Sequence, residues 1–194
     1  LPLHGNGSKF FRPSQIINVL EDINEVDDVM WTPLHNACVR NNEEMALKLL
    51  ELCPELDAAN DKGQTALHLA TLVGSVTIVR ELLRKGADVM CVTKYEKNTP
   101  LHMACEGGFR TIADLLVRKG ADVTVKNSME RTPFHLAALS GRADIGSILL
   151  RAGTDARAQD IHGWNARQLA ELRGHRDFQE LVVRATMKEK QSVI

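Results

Sequence analysis

Apolar and polar positions alternate along this chain in a beat that repeats. A stripe of Ile78, Val79, Leu82 and Leu83 returns as Ile112, Ala113, Leu115 and Leu116, and again as Ile145, Ile148, Leu149 and Leu150. Such spacing gathers side chains on one helical face, so each stripe predicts an amphipathic helix. Ahead of the stripes stands a shorter block, Thr99-Pro100-Leu101-His102-Met103-Ala104 being one copy. The others are Thr32-Pro33-Leu34-His35-Asn36-Ala37, Thr65-Ala66-Leu67-His68-Leu69-Ala70, Thr132-Pro133-Phe134-His135-Leu136-Ala137 and a degraded Asn165-Ala166-Arg167-Gln168-Leu169-Ala170. Their first positions are 33, 34, 33 and 33 residues apart. A fixed period of this size predicts a stacked solenoid.

Each block predicts a helix start. Thr can accept a hydrogen bond from an early backbone N–H, and Pro suits the next position, where its missing N–H would be unpaired anyway. Nine residues on come Asn41, Gly74, Gly108, Gly141 and Gly174, residue types that tolerate the left-handed conformation ending a helix. The first helix of each unit is therefore about two turns long. After the second, Gly86-Ala87-Asp88-Val89 and Gly120-Ala121-Asp122-Val123 stop the helix and lead into extended chain with turn formers such as Asp61-Lys62-Gly63. The unit is helix, turn, helix, hairpin loop.

From about Asp28 to Val183 this pattern resembles the ankyrin-repeat family, since capping, helix-stop and hairpin signals recur in phase. The resemblance implies an all-α ankyrin-repeat solenoid of stacked helix-turn-helix units with projecting hairpin loops, the fingers. Fingers and first helices would line a concave surface, and the motif histidine would bridge loops by hydrogen bonds. Residues 28–183 form the repeat domain, with repeats near 28–60, 61–94, 95–127, 128–160 and 161–183. Residues 184–194 are helix end and tail. Residues 1–27 read either as a worn repeat, with Pro2-Leu3-His4 as its motif and Ile16, Ile17, Val19 and Leu20 at helical spacing, or as a flexible lead-in with one capping helix. The chain begins without Met, as a piece of a larger protein or a processed product would.

Departures from the pattern carry their own expectations. Cys53-Pro54-Glu55-Leu56 replaces the usual Gly-Ala-Asp, and Pro54 still ends its helix. Gly63 and Gly163 share a finger position with Met30, Lys97 and Glu130, and the third repeat has one extra residue, so the loops around Lys94 to Asn98 are expected to bend differently. In the fifth copy Arg167 stands where the others bury Leu or Phe. An unpartnered buried Arg is costly, which makes this face a solvent-facing cap, with Phe178, Leu181 and Val182 on the inner side of a last helix from His175 to Lys190.

With 44% hydrophobic and 25% charged residues the composition is that of an ordinary globular chain, and no apolar run approaches the roughly 20 residues of a membrane span. No secretory leader is read. The net charge of −1 divides into −4 over residues 1–98 and +3 over 99–194, too mild to imply nucleic acid. The acidic cluster Glu21, Asp22, Glu25, Asp27 and Asp28 reads as solvated surface that could attract a basic partner. Cys38, Cys53, Cys91 and Cys105 lack Cys-x-x-Cys spacing, so a reducing compartment, cytoplasm or nucleus, is expected.

Four histidines at one motif position invite a metal reading. Helix layers about 8–10 Å apart cannot bring them within the roughly 2 Å that one zinc requires. No metal, cofactor or membrane insertion is expected. Nor is there a Gly-rich phosphate loop, a His-Glu-x-x-His or a Gly-x-Ser-x-Gly, so no enzyme is expected. His162 and His175 read as exposed.

What the scaffold does not dictate are the fingertips and the ends of the first helices. Trp31, Leu72, Val73, Tyr95, Met129, Leu139 and Trp164 are apolar or aromatic there, and they are the expected partner-binding residues. For Trp31 and Trp164 the family offers a second role, bracing the neighbouring loop. The expected function is a non-catalytic protein-protein interaction module that binds a protein or peptide on the concave face. The alternative is a regulatory or spacer segment of a larger protein such as an ion channel, kinase or ubiquitin-ligase receptor. The end, Gln191-Ser192-Val193-Ile194, either has the hydroxyl-x-aliphatic form that PDZ domains take as an added strand when the carboxylate is free, or is only the point at which a longer chain is cut.

Overall fold

The computed structural model describes residues 23–191. The worn-repeat motif and helical stripe expected before residue 23, and the Ser192-Val193-Ile194 terminus, lie outside the described residues.

Within them the chain is all-α, ten helices in five antiparallel pairs: α1 (Pro33–Val39) with α2 (Glu43–Glu51), α3 (Ala66–Val73) with α4 (Val76–Lys85), α5 (Pro100–Gly107) with α6 (Arg110–Arg118), α7 (Pro133–Leu139) with α8 (Ala143–Arg151), and α9 (Ala166–Leu172) with α10 (Arg176–Gln191). The capping residues work as their types predict. Thr32, Thr99 and Asn165 accept from the backbone N–H three residues on, while His35, His102 and Gln168 reach back to the backbone N–H of the cap. Asn41 and Gly74 turn left-handed after their helices, with φ of 52° and 78°. At Gly74 space matters as much as φ, because a Cβ there would run into the Phe109 ring of the next repeat.

Stacking builds one continuous core. The short helices α1, α3, α5, α7 and α9 pack in one row and the longer α2, α4, α6, α8 and α10 in a second. Leu34, Leu67, Leu101 and Phe134, at one motif position, are fully buried between layers. The stripe Ile78, Val79, Leu82 and Leu83 is buried too, with its counterparts Ile112, Ala113, Leu116, Ile145, Ile148 and Leu149, while Leu115 and Leu150 are half-buried at its edge. Arg167, at the fifth copy of the Leu position, is exposed. Phe178 of α10 is buried 5.1 Å from the Phe134 ring and Val182 beside it is buried, which fastens the last helix to the stack. Helix α2 ends ahead of Pro54.

One expectation is corrected, and a second applies to the third finger alone. His175 is half-buried, because its Nε2 bonds the Leu139 carbonyl at 3.0 Å and its ring lies against Gly141. Met30, Lys97 and Glu130 adopt φ of 63°, 55° and 54°, close to the 71° and 77° of Gly63 and Gly163, so residue type does not change the turn at that position, whereas the extra residue of the third repeat does change its finger, which closes from Thr93 to Asn98. The turn imposes its backbone, and the L-residues carry the strain.

Candidate protein-interaction surface

The fingers are built alike. Each begins with an Asp, Asn or Thr whose backbone N–H meets the carbonyl just before the next capping residue, as from Asp27 to Trp31 at 3.1 Å, Asn60 to Gln64 at 3.0 Å and Asp160 to Trp164 at 3.0 Å. The side-chain oxygen then accepts the amides of the tip. Asp27 takes Val29 and Trp31, Asn60 takes Lys62 and Gln64, Asn127 takes Met129 and Arg131, and Asp160 takes His162 and Trp164. Such turns hold a loop without a packed core beneath it. Asp27, counted with the acidic surface, is therefore part of a turn. In the third finger Thr93 closes on Asn98, one residue further, and only the Asn98 amide reaches its hydroxyl.

Neighbouring fingers are joined edge to edge. Asp61 donates to the Val29 carbonyl at 3.3 Å, Lys94 to Lys62 at 2.8 Å, Ser128 to Glu96 at 2.8 Å and Ile161 to Met129 at 3.0 Å. The tips therefore stand in one row. Between the last two, Arg131 Nε pairs with the buried carboxylate of Asp160 at 3.0 Å. Burial pushes that carboxyl up, but hydrogen bonds from the Trp164 amide, Arg131 and the His162 amide outweigh it and hold it below the usual carboxylate range.

The motif histidines couple this row to the helices. The backbone N–H of Thr32, Thr65, Thr99 and Thr132 donates to Nδ1 of His35, His68, His102 and His135 at 3.1–3.2 Å. Nδ1 must then be the acceptor, which leaves the proton on Nε2. Nε2 donates across to the next repeat: His35 to the Gln64 carbonyl, His68 to Asn98, His102 to Arg131 and His135 to Ala158, all at 3.0–3.1 Å. Both nitrogens of each ring are in use. Burial lowers all four, His68 and His102 to about 4, so the neutral ring is the folded form.

This arrangement offers little to catalysis. Cys91 Sγ approaches His68 Nδ1 at 3.6 Å, but burial pushes the thiol up to about 11 and that nitrogen is already engaged. Burial pushes the Cys38 thiol up to about 12 and that of Cys105 up as well. All three are held as neutral thiols, poor nucleophiles. Among the described residues no three His, Cys, Asp or Glu gather in a metal-holding group.

The residues expected to meet a partner are placed unequally. Leu72, at the end of α3, is 52% exposed with half-buried Val73 beside it, and Tyr95 on the enlarged third finger is 65% exposed with Lys94 Nζ 5.5 Å from its ring centroid. Met129 and Trp164 are also exposed, and the Ile161–Met129 backbone bond brings their fingers together. Trp31 and Leu139 are half-buried and pack on the core, Trp31 with its ring 6.2 Å from that of His35. Counting seven residues from each cap aligns Leu72 with Val39, Glu106, Leu139 and Leu172, whereas Arg40 and Arg173 align with Val73. Leu172, 66% exposed, is a further apolar surface residue, marked by its spacing from the cap although it is absent from the expected set. Met30 and Ile161 are exposed fingertip residues of the same kind.

Comparison with known proteins agrees with the architecture. The family model described as ankyrin repeats (3 copies) matches residues 11–93 and 90–160. The SMC5-SMC6 complex localization factor protein 1 of Bos taurus is 39% identical over 77 residues, 39% of this chain and 7% of that protein. The probable 26S proteasome regulatory subunit p28 of Saccharomyces cerevisiae is 32% identical over 106 residues, 50% of this chain and 46% of that protein. The DNA replication inhibitor plutonium of Drosophila melanogaster is 42% identical over 64 residues, 33% of this chain and 37% of that protein. The chain thus spans less than half the length of each.

Proposed function

The chain belongs to the ankyrin-repeat family, and from that premise we propose that it is a non-catalytic module that holds a protein or peptide along the concave face made by its fingers and first helices. Repeats of this family are general protein-interaction modules. The observation that carries the reading is Leu72, a leucine left half in water at a helix end although the layers on either side offer ample core. Large apolar side chains gathered outside the core mark contact surfaces more often than single scattered ones do. Leu72, Val73, Tyr95, Met129 and Leu139 would form the middle of the contact, with Trp31 and Trp164 toward its rims.

The half-burial of Trp31 and Leu139 supports a supporting role for them, bracing finger and helix while a part of each faces the partner. The module comprises residues 28–183, and we place it in the cytoplasm or nucleus. Affinity capture with the wild-type chain and with Leu72→Glu/Val73→Glu tests this reading. Proteins retained by the first and lost by the second, at unchanged melting, support it; an identical captured set contradicts it.

A second reading is favoured by the first relative, of whose length this chain covers 7%. The repeats would then serve as a regulatory or spacer segment packed within a larger polypeptide. Capture of flanking regions of the parent protein, in place of a separate partner, is the result that selects it.

A further inference from the structure

The last repeat ends the described stack with a surface of unusual charge. Helices α9 and α10 pack on α7, α8 and each other, and no further described helix covers their outer side. There a cleft of about 390 Å³ is lined by Arg167, Arg176, Arg184, Gln179, Glu180 and Val183. Glu180 is taken by Arg184, 3.1 Å away. Arg167 and Arg176 have no acidic partner among the described residues.

A solvent-facing cap requires polar residues, but it does not require one sign. Arg167 replaces the Leu or Phe of the four earlier copies, and Gln or Glu would have met water as well. Arg176 opens α10, where the helix dipole disfavours a cation, so this placement works against helix stability. Guanidinium groups recognise carboxylates through paired N–H donors, and two unpaired ones beside a half-buried valine form a surface complementary to acidic side chains.

We propose that this cleft is a second docking site, separate from the Leu72 surface, which takes an acidic peptide segment of a partner protein, its carboxylates on Arg167 and Arg176 and an aliphatic group on Val183.

The probe is a fluorescein-labelled hexaglutamate peptide titrated with the 194-residue chain by fluorescence anisotropy at low salt. Arg167→Glu/Arg176→Glu is expected to weaken binding about tenfold or more, while Arg80→Glu/Lys119→Glu, an equal change of charge on other exposed sites, changes it less than about threefold. Leu72→Glu/Val73→Glu is expected to bind as the control does, which keeps this test independent of the reading above. Should the glutamate variant melt early, Arg167→Gln/Arg176→Gln replaces it with the same direction expected. Equal weakening by both charge reversals, or no measurable binding by the wild-type chain, overturns the proposal. So does a single-stranded oligonucleotide of equal charge that binds more tightly and depends on the same two arginines.

Discussion

The ring of His68 and the carbonyl of Asn98 meet at 3.1 Å across two repeats, so one imidazole both closes its own helix cap and anchors the following finger. His102 repeats the arrangement with Arg131. Each ring can do this only while neutral, because protonated Nδ1 could no longer accept from the Thr N–H.

Acid should therefore loosen the stack. Above pH 6.5 folded and unfolded rings are both neutral and the contribution is fully present. Between 6.5 and about 4 the unfolded chain binds protons that His68 and His102 in the folded chain refuse, so stability falls with falling pH. The loss is on the order of 3 kcal/mol per ring by pH 4. Urea melts between pH 7 and 4 read the slope. His68→Gln/His102→Gln should flatten it, and an unchanged slope would remove these rings from the account.

Leu82→Ala should cost about 2–5 kcal/mol, through lost burial and the cavity left between layers. Arg167→Ala should stay within about 0.5 kcal/mol, since its side chain already meets water. Equal losses in denaturant melts would mean that the fifth copy is not a cap.

Two backbone positions should respond in opposite directions. Gly74→Ala forces a Cβ into the Phe109 ring at φ 78° and should cost at least about 1–2 kcal/mol. Lys97→Gly relieves a left-handed L-residue at φ 55°, and after the entropy of glycine is subtracted should add up to about 1 kcal/mol. Thermal melts of the two variants on either side of the wild type are the expected outcome.

Thr71 holds a buried hydroxyl with no hydrogen-bond partner, in a row where the buried counterparts are Cys38, Cys105 and Ala138 and the fifth, Glu171, is exposed. Thr71→Val keeps its shape and removes the orphan, so stability should rise by about 1–2 kcal/mol. A destabilised variant in the same melts would show that the hydroxyl is satisfied after all.

Much of the fold was legible because its signals are local and repeated. Thr-Pro starts, glycine stops and the Ile78-to-Leu83 stripe each follow from residue chemistry within one unit. The exposure of Arg167 followed from the cost of burying it. What escaped were contacts made between units. Leu72 and Leu139 share a motif position, yet only Leu139 packs on the core, because its burial depends on side chains supplied by other repeats. His175 is held by the Leu139 carbonyl 36 residues away, which spacing within its own helix does not reveal. The Asp and Asn that seat the fingertip amides were visible five residues before each cap at Asp27, Asn60, Asn127 and Asp160, but only a turn's geometry gives them their role.

The central claim is that the module binds through the surface around Leu72, and the most direct measurement is the affinity of a captured partner for three chains by titration calorimetry. Leu72→Glu/Val73→Glu should lose about 2 kcal/mol or more of binding, roughly thirtyfold, because a buried interface centre tolerates an unpaired charge poorly. Arg80→Glu, exposed on α4, should bind as the wild-type chain does. A double variant that melts normally and still binds at wild-type affinity would contradict the claim.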